Sequence, residues 1–234
     1  MPDAQTGVGL RALVLGASGA IGGALVTALQ QDGRFTTVLA LSRTSTPGFT
    51  LESEASIARC AHEVAQGGPV HWVVDATGAL EIDGHGPEKR LEALNAAALA
   101  RAFEVNAIGP ALLMKHFIPL LAPDQSTVFA TLSARVGSIE DNHKGGWYGY
   151  RAAKAARNML LQTAAIEAHR RRPLAVFAAL QPGTVRSGLS QRFVPPEDGM
   201  PPEDAAMNLV HVLGQLRPTG RAQFMDYRGT AIPW

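Results

Sequence analysis

The sequence predicts an α/β fold in which a doubly wound parallel sheet is flanked by helices on both faces. Short apolar runs alternate with helix-like segments along the chain. Each run is nearly continuous rather than alternating with polar residues, which is typical of parallel strands buried on both faces. A glycine-rich turn follows the first run, and no repeat or linker divides the chain. We therefore expect a single domain.

The composition agrees with one large domain. The chain has 234 residues, 46% of them hydrophobic, and a formal net charge of +1. This balance provides no electrostatic reason to expect nucleic acid or an anionic membrane as a partner. The single cysteine, Cys60, excludes an intrachain disulfide and a cysteine-rich metal site, and we expect it to be buried. With no 18-residue apolar run and no leader-like N-terminus, we expect a cytoplasmic protein.

The first half of the chain is predicted to alternate strands and helices regularly. Residues 1–9 are expected to be a loose tail, so the domain spans 10–234. Glycine and polar turn residues separate the apolar runs. The predicted strands are 10–15, 35–41 and 70–75, and the predicted helices are 24–31 and 53–66.

The second half begins with helical signals over most of 87–121. A short helix at 88–94 is expected to precede a longer one capped by Asn95. Gly109 and Pro110 are expected to kink or break that longer helix. A proline-rich substrate loop is predicted at about 186–202. The remaining predicted elements are strands at 127–133, 174–180 and 222–225, and a helix at 205–215, besides the helix that carries Tyr150.

Three glycines, Gly16, Gly19 and Gly22, are spaced three residues apart between the first strand and the first helix. Glycines there permit a tight turn and let a pyrophosphate approach backbone N–H groups at the helix N-terminus. A helix entry that only needs flexible residues would carry the same pattern. The position after the first strand favours a dinucleotide site. Its predicted contacts are Gly16, Ser18, Gly19, Ala20, Ile21 and Gly22.

The end of the second predicted strand carries Ser42 and Arg43. An acidic residue at this point of a dinucleotide-binding fold bonds the ribose 2′-hydroxyl, whereas a guanidinium can pair with a 2′-phosphate. We therefore expect Ser42 and Arg43 to bind NADP in preference to NAD. An exposed arginine on a turn is the alternative.

Tyr150 and Lys154 are four residues apart in a predicted helix, which places both side chains on one face. A phenol keeps its proton until about pH 10. A neighbouring ammonium favours the phenolate, so this spacing predicts a lowered pKa for Tyr150 and proton exchange nearer neutrality. The same spacing also occurs by chance on helix surfaces, so the prediction depends on the surrounding residues.

The motifs together resemble one family. The glycine turn, Asn106, Ser133, Tyr150, Lys154 and Pro182-Gly183 occur in the order seen in the short-chain dehydrogenase/reductase family. The resemblance covers nearly the whole chain and implies a Rossmann fold. The stretches 133–138, 145–150 and 232–234 resemble the C-factor or C-signal-like branch of that family.

The resemblance implies a role for each catalytic residue. Tyr150 would be the general acid or base, and Lys154 would lower the pKa of Tyr150 and bond the nicotinamide ribose. Ser133 would hold the substrate oxygen. Asn106 would position a water that connects Lys154 to solvent. This division suits hydride transfer, which builds charge on one oxygen.

The resemblance also assigns cofactor contacts to two loops. After the third strand the family's Asn-Asn-Ala-Gly is replaced here by a sequence that starts with Asp75, so the hydrogen bonds that brace the sheet centre must differ. The loop after the fifth strand would grip the nicotinamide carboxamide. The implied contacts are Asp75, Ala76, Thr77 and Gly78 in the first loop, and Pro182, Gly183, Val185 and Ser187 in the second.

The predicted function is transfer of hydride between NADP(H) and a small carbonyl or alcohol substrate. A dinucleotide-binding signalling or sensor protein with little turnover is the alternative, suggested by the C-factor resemblance. A sugar-nucleotide epimerase is disfavoured because few residues follow Pro182 and Gly183. His85 and His143 lack helix-spaced ligand partners, so no metal is expected. Small residues on the Tyr150 helix suggest a homodimer or homotetramer.

Overall fold

Six parallel strands form one sheet in the order β2-β1-β3-β4-β5-β6. The computed structural model describes residues 9–188 and 198–234. Most of the predicted tail, and residues 189–197 of the predicted substrate loop, lie outside the described residues. Every neighbouring pair of strands is parallel, which confirms the predicted sheet. The strands are β1 Leu10–Leu15, β2 Phe35–Leu41, β3 Trp72–Asp75, β4 Thr127–Leu132, β5 Ala175–Gln181 and β6 Ala222–Asp226.

Helices cover both faces of the sheet. They are α1 Ala20–Gln31, α2 Glu54–Gln66, α3 Ala96–Phe103, α4 Gly109–Phe117, α5 Tyr148–His169 and α6 Pro202–Gln215. Side chains alternate along each strand, so β1 sends Leu13 to one face and Val14 to the other. Helices α1 and α6 pack on the Val14 face, and α2, α4 and α5 pack on the Leu13 face. Cys60 of α2 is buried in the Leu13 layer, as predicted.

Several element boundaries differ from the predictions; helix α6, for example, begins at Pro202 rather than 205. Helix α1 begins at Ala20 rather than 24, because Gly19 is the N-cap and two glycines enter the first turn. The helix predicted at 88–94 is a single 3-10 turn, Leu91–Ala93, whose three residues are all exposed. Strand β3 begins at Trp72 because Val70 pairs instead with Leu121.

The helical segment before β4 is interrupted near its middle. The Asn95 side chain accepts a hydrogen bond from Ala98 N at 3.0 Å, which confirms the predicted cap. A π-helical turn, Glu104–Ile108, then separates α3 from α4. Pro110 has no N–H, so the carbonyl of Asn106, four residues earlier, loses its α-helical donor. The predicted break is therefore real, and it exposes the Asn106 carbonyl to other donors.

Although the sequence predicts no 18-residue apolar run, the stretch Ala96–Leu120 is long and apolar enough to cross a membrane, since its most apolar 18-residue window has a mean hydropathy of 1.2. Its α4 portion buries Leu113 and Phe117 completely against the sheet. Core helices of globular domains pack in the same way.

Candidate active site

A cleft opens at the carboxyl ends of β1 and β3. From β1 the chain passes to β2 on one side and, later, to β3 on the other, and ligands of open α/β sheets bind at this kind of switch point. The cavity has a volume of about 1020 Å³. It is large enough for a dinucleotide together with a small substrate.

The glycine turn forms one end of the cleft. Gly16 has φ +84°, a conformation that side chains rarely adopt. A Cβ on Gly22 would lie 2.2 Å from the Gly16 carbonyl oxygen, so only glycine fits there. The first turn of α1 has no acidic residue and no side-chain cap. Its N–H groups and positive dipole end therefore suit a pyrophosphate.

Most of the predicted site residues line this cavity. Those that do are Ser18, Gly19, Ala20, Ile21, Gly22, Ala76, Thr77, Gly78, Ser133, Tyr150, Lys154, Pro182, Gly183, Val185 and Ser187. The predicted residues outside the lining are Gly16, Ser42, Arg43, Asp75 and Asn106.

The residues outside the lining fall into two groups. Gly16, Asp75 and Asn106 contact the loop after β3, whose residues line the cavity. Ser42 and Arg43 lie at the end of β2. The Ser42 hydroxyl is part of a turn with Thr44, 3.1 Å from the Thr44 hydroxyl, and Arg43 is exposed.

Tyr150 is in the first turn of α5, where the chain enters from Trp147 in the left-handed region. The Glu88 carboxylate accepts from Gly149 N at 3.0 Å and so caps this helix start. Lys154 Nζ lies 5.5 Å from the centre of the Tyr150 ring. Burial raises the pKa of Tyr150 to about 12, while the charge of Arg157 lowers it. This direction is opposite to the one that the Tyr–Lys spacing predicts.

Lys154 is 3% exposed and donates to the Leu132 carbonyl at 2.9 Å. Burial lowers its pKa well below the ordinary value. The charge of Arg157 lowers the pKa further, and Asp75 opposes that effect.

Ser133 follows β4 and is 4% exposed. Its hydroxyl donates to Asn158 Oδ1 at 2.6 Å, and Asn158 Nδ2 has no partner among the described residues. Rotation of this amide by 180° would exchange its donor and acceptor. The hydroxyl of Ser133 would then be free to donate to a substrate oxygen.

Asn106 lies in the π-helical turn and is fully buried. Its side chain bonds both polar groups of the Ala79 backbone, accepting from N at 3.0 Å and donating to O at 2.9 Å. A Cβ on the adjacent Gly78 would lie 2.9 Å from Asn106 Oδ1 and 3.3 Å from Lys154 Nζ. Asn106 therefore fixes the loop that separates it from the cavity.

Asp75 shows how the sheet centre is braced without the family's asparagine. Its carboxylate accepts from Thr77 N at 2.9 Å, from the Thr77 hydroxyl at 2.5 Å and from the Thr131 hydroxyl at 2.7 Å. Arg157 Nη1 lies 3.7 Å from Asp75 Oδ2, and both side chains have 0% exposure. A buried ion pair thus replaces a neutral amide network.

Sequence reasoning missed Arg157 and Asn158. Both lie on the face of α5 that carries Tyr150 and Lys154, since spacings of seven and eight residues continue a spacing of four. Polar residues at those positions, in a helix that must cover the sheet, were the available signal. Among the described residues, no group of three or more His, Cys, Asp or Glu side chains is placed to hold a metal ion.

The fold and the cleft define a class: a dinucleotide-binding oxidoreductase with two hydroxyls and an amine in one cavity. The model of the family described as short chain dehydrogenase matches residues 11–198. The chain belongs to the short-chain dehydrogenase/reductase family.

Three proteins of known name are similar to this chain in sequence or in fold. C-signal of Myxococcus xanthus is 32% identical over 139 residues, which are 59% of this chain and 80% of that protein. The 1-hydroxy-2-glutathionyl-2-methyl-3-butene dehydrogenase of Rhodococcus sp. (strain AD45) is 28% identical over 191 residues, with coverages of 80% and 79%. NADPH-bound carbonyl reductase from chicken fatty liver superposes with a TM-score of 0.83 at 19% identity, covering 97% of this chain and 99% of that one.

Proposed function

We propose that this protein interconverts a small carbonyl compound and the corresponding alcohol with NADP(H). One observation carries the proposal: the Tyr150 and Ser133 hydroxyls and the Lys154 amine line the same cavity as the glycine turn. A site that only binds a dinucleotide needs neither hydroxyl. When bound, NADP(H) supplies or accepts the hydride.

The residues of this chain handle the proton and the developing charge. Tyr150 donates its proton to the carbonyl oxygen in reduction and takes one from the alcohol in oxidation. Ser133 holds the same oxygen and stabilises its charge. Lys154, tied to the Leu132 carbonyl, exchanges a proton with Tyr150 and bonds the nicotinamide ribose. Asn106 fixes the loop at Gly78, one wall of the cavity.

The substitution that tests this mechanism is Tyr150→Phe, which removes only the oxygen that carries the proton. We expect kcat for carbonyl reduction to fall by about 100- to 10,000-fold, the usual contribution of a general acid. NADPH oxidation is measured at 340 nm with a panel of aldehydes and ketones. An NADPH affinity close to that of the unchanged protein is the control. Turnover retained within a few-fold would rule the mechanism out.

We propose NADP rather than NAD as the cofactor because Arg43 is exposed at the end of β2, beside the glycine turn. The backbone N–H groups of Gly16 and Ala17 both donate to the Leu41 carbonyl, so the end of β2 adjoins the turn. Arg43→Ala is expected to weaken NADP binding by about tenfold or more and to leave NAD binding unchanged. The thermal shift that each cofactor produces measures its binding. An equal loss of binding for NADP and NAD would contradict the assignment.

A signalling or sensor role is the second proposal, favoured by the 32% identity to C-signal of Myxococcus xanthus. The two roles differ in turnover. A sensor would bind NADP(H) and show no carbonyl-dependent oxidation across the panel. We also propose that the protein works in the cytoplasm.

A further inference from the structure

The described lining of the cleft carries charged side chains of one sign only. None of its described residues is an aspartate or a glutamate, and four are cationic: Arg135, Lys144, Arg151 and Lys154. The chain as a whole is balanced, with 21 Lys and Arg against 20 Asp and Glu. The excess of positive charge is therefore a property of this cleft. A cleft lined by one sign of charge attracts ligands of the opposite sign.

Three of these cations lie at the reacting end of the cleft. That end is marked by Ser133 and Tyr150, whose hydroxyls would bond the substrate oxygen. Arg135 is two residues after Ser133. Arg151 is next to Tyr150 in α5, and Lys144 is in the loop that enters this helix. The sites proposed for the phosphates of the cofactor are formed at the ends of β1 and β2 instead, so they do not account for these cations.

The three cations differ in how far carboxylates neutralise them. Arg135 has Asp141 at 3.3 Å and Asp226 at 3.5 Å, so its charge is paired. Among the described residues, Arg151 bonds only backbone carbonyls, and Lys144 has no ion pair. A carbonyl accepts a hydrogen bond but does not neutralise a cation. Two unpaired positive charges therefore remain at the reacting end.

Arg151 also holds the loop that carries Lys144. Its Nε donates to the Gly146 carbonyl at 2.9 Å, and its Nη2 donates to the Gly145 carbonyl at 3.1 Å. Gly145, Gly146 and Trp147 are successive left-handed residues, with φ of +63°, +65° and +56°. Such a run is unusual, because L-residues adopt this conformation singly. The loop therefore has a specific conformation, which keeps Lys144 on the wall of the cleft.

We propose that the substrate is a carbonyl or alcohol compound that also carries an acidic group, a carboxylate or a phosphate, and that Lys144 and Arg151 bind this group. The inference rests on the proposed function and names the class of substrate for the same site. The reacting oxygen lies at Ser133 and Tyr150, and the acidic group lies against the two unpaired cations. Ammonium and guanidinium groups both bind such anions through charge-assisted hydrogen bonds.

The first test compares matched substrates by NADPH oxidation at 340 nm. Succinic semialdehyde and 4-oxopentanoate are each paired with their methyl ester, and dihydroxyacetone phosphate is paired with dihydroxyacetone. We expect kcat/KM to be about tenfold higher or more for the anion in the carboxylate pairs or in the phosphate pair, the usual effect of a charge-assisted hydrogen bond. The pair that shows the preference identifies the acidic group. Equal values within every pair would overturn the proposal.

Substitutions then assign the preference to the two side chains. Lys144→Met should lower kcat/KM for the anion by about tenfold and change the value for the neutral partner much less. Arg151→Met should also lower the preference, and Arg151→Lys should restore part of it because it keeps the charge. Arg170→Met is the matched control, since Arg170 is an exposed cation at the other end of α5. Equal losses for anion and neutral partner in Lys144→Met would overturn the proposal.

The second test measures binding without turnover. A protein saturated with NADP⁺ has no hydride to give, so a carbonyl compound binds and does not react. Isothermal titration of this complex should show tighter binding of 4-oxopentanoate or dihydroxyacetone phosphate than of its neutral partner, and Lys144→Met should remove most of the difference. If Lys144→Met instead weakened NADP⁺ binding and left the preference intact, Lys144 would serve the cofactor, and the proposal would be wrong.

The two tests separate this proposal from the proposed function. Tighter binding of the anion with no NADPH oxidation across the carbonyl panel would remove the proposed reaction and leave the anion site. Reduction of the neutral compounds as fast as the anions would remove the anion site and leave the proposed reaction.

Discussion

At the scale of single residues, the role that we propose for Lys154 conflicts with stability. Its side chain is buried and its pKa is lowered, so the unfolded chain binds a proton there below about pH 10 that the folded chain binds less well. The contribution of Lys154 to stability therefore decreases as the pH falls below 10 and increases as the pH rises toward it.

Lys154→Met is expected to stabilise the protein at pH 7 while it removes activity. The carbonyl that Lys154 bonds would keep Arg157 as a donor, so no acceptor is left unpaired. We expect a gain of about 1 kcal/mol or more, which is roughly 2 to 4 °C in Tm for a chain of this length. Differential scanning calorimetry at pH 7 and pH 10 measures it. The gain should shrink at pH 10, and a loss of stability at pH 7 would contradict the burial argument.

The contacts of single side chains were also the features that the sequence predicted least completely. The order of Asn106, Ser133, Tyr150 and Lys154 predicted a site, and Asp75 was recognised as a departure. Its counterion could not be predicted, because Arg157 is far away in the sequence and only the packing of α5 on the sheet brings the two together. The raised pKa of Tyr150 was missed for the same reason: burial is a tertiary property.

At the scale of elements, the glycine turn and α1 form one unit. Strands β1 and β2 were predicted to the residue, since apolar runs with sharp ends mark buried strands. The start of α1 was predicted too late because glycine is a weak helix former. In the structure, close packing against Gly16 requires Gly22 and outweighs that weak preference.

Gly22→Ala and Gly23→Ala form a matched pair at this helix start. A Cβ on Gly22 would lie 2.2 Å from the Gly16 oxygen, whereas one on Gly23 would lie 3.4 Å from the Ala17 oxygen. We expect Gly22→Ala to lower stability by about 1 to 3 kcal/mol and to weaken NADP binding. Gly23→Ala should be nearly neutral or stabilising by up to about 1 kcal/mol. Urea unfolding measures the stability of each variant, and cofactor titration measures its NADP binding. Equal effects of the two substitutions would contradict the close approach of Gly22 to Gly16.

At the scale of the whole molecule, large apolar side chains remain exposed on α5. Met159 is 66% exposed and Ile166 is 47% exposed. The sheet of the same chain packs against the opposite face of α5, so it cannot cover these two side chains. Together with the small residues of α5, they support the proposed homodimer or homotetramer.

Light scattering is expected to give a mass of two or four times 24.7 kDa at micromolar concentration. Met159→Glu would place a charge in that interface and shift the mass toward one chain. Met207→Glu is the control, since Met207 is 55% exposed on α6, across the sheet. A stable 24.7 kDa monomer of the unchanged protein would remove the proposed oligomer.

The position of Trp147 has a practical consequence. Its indole borders the cleft and lies 6.2 Å from the Tyr150 ring, whereas Trp72 is a core residue and Trp234 packs on Phe224. A reduced nicotinamide absorbs at the wavelengths where indole emits, so occupancy of the cleft should quench the emission of Trp147 by energy transfer. The molecule therefore carries its own optical reporter, and ligand titrations need no attached dye.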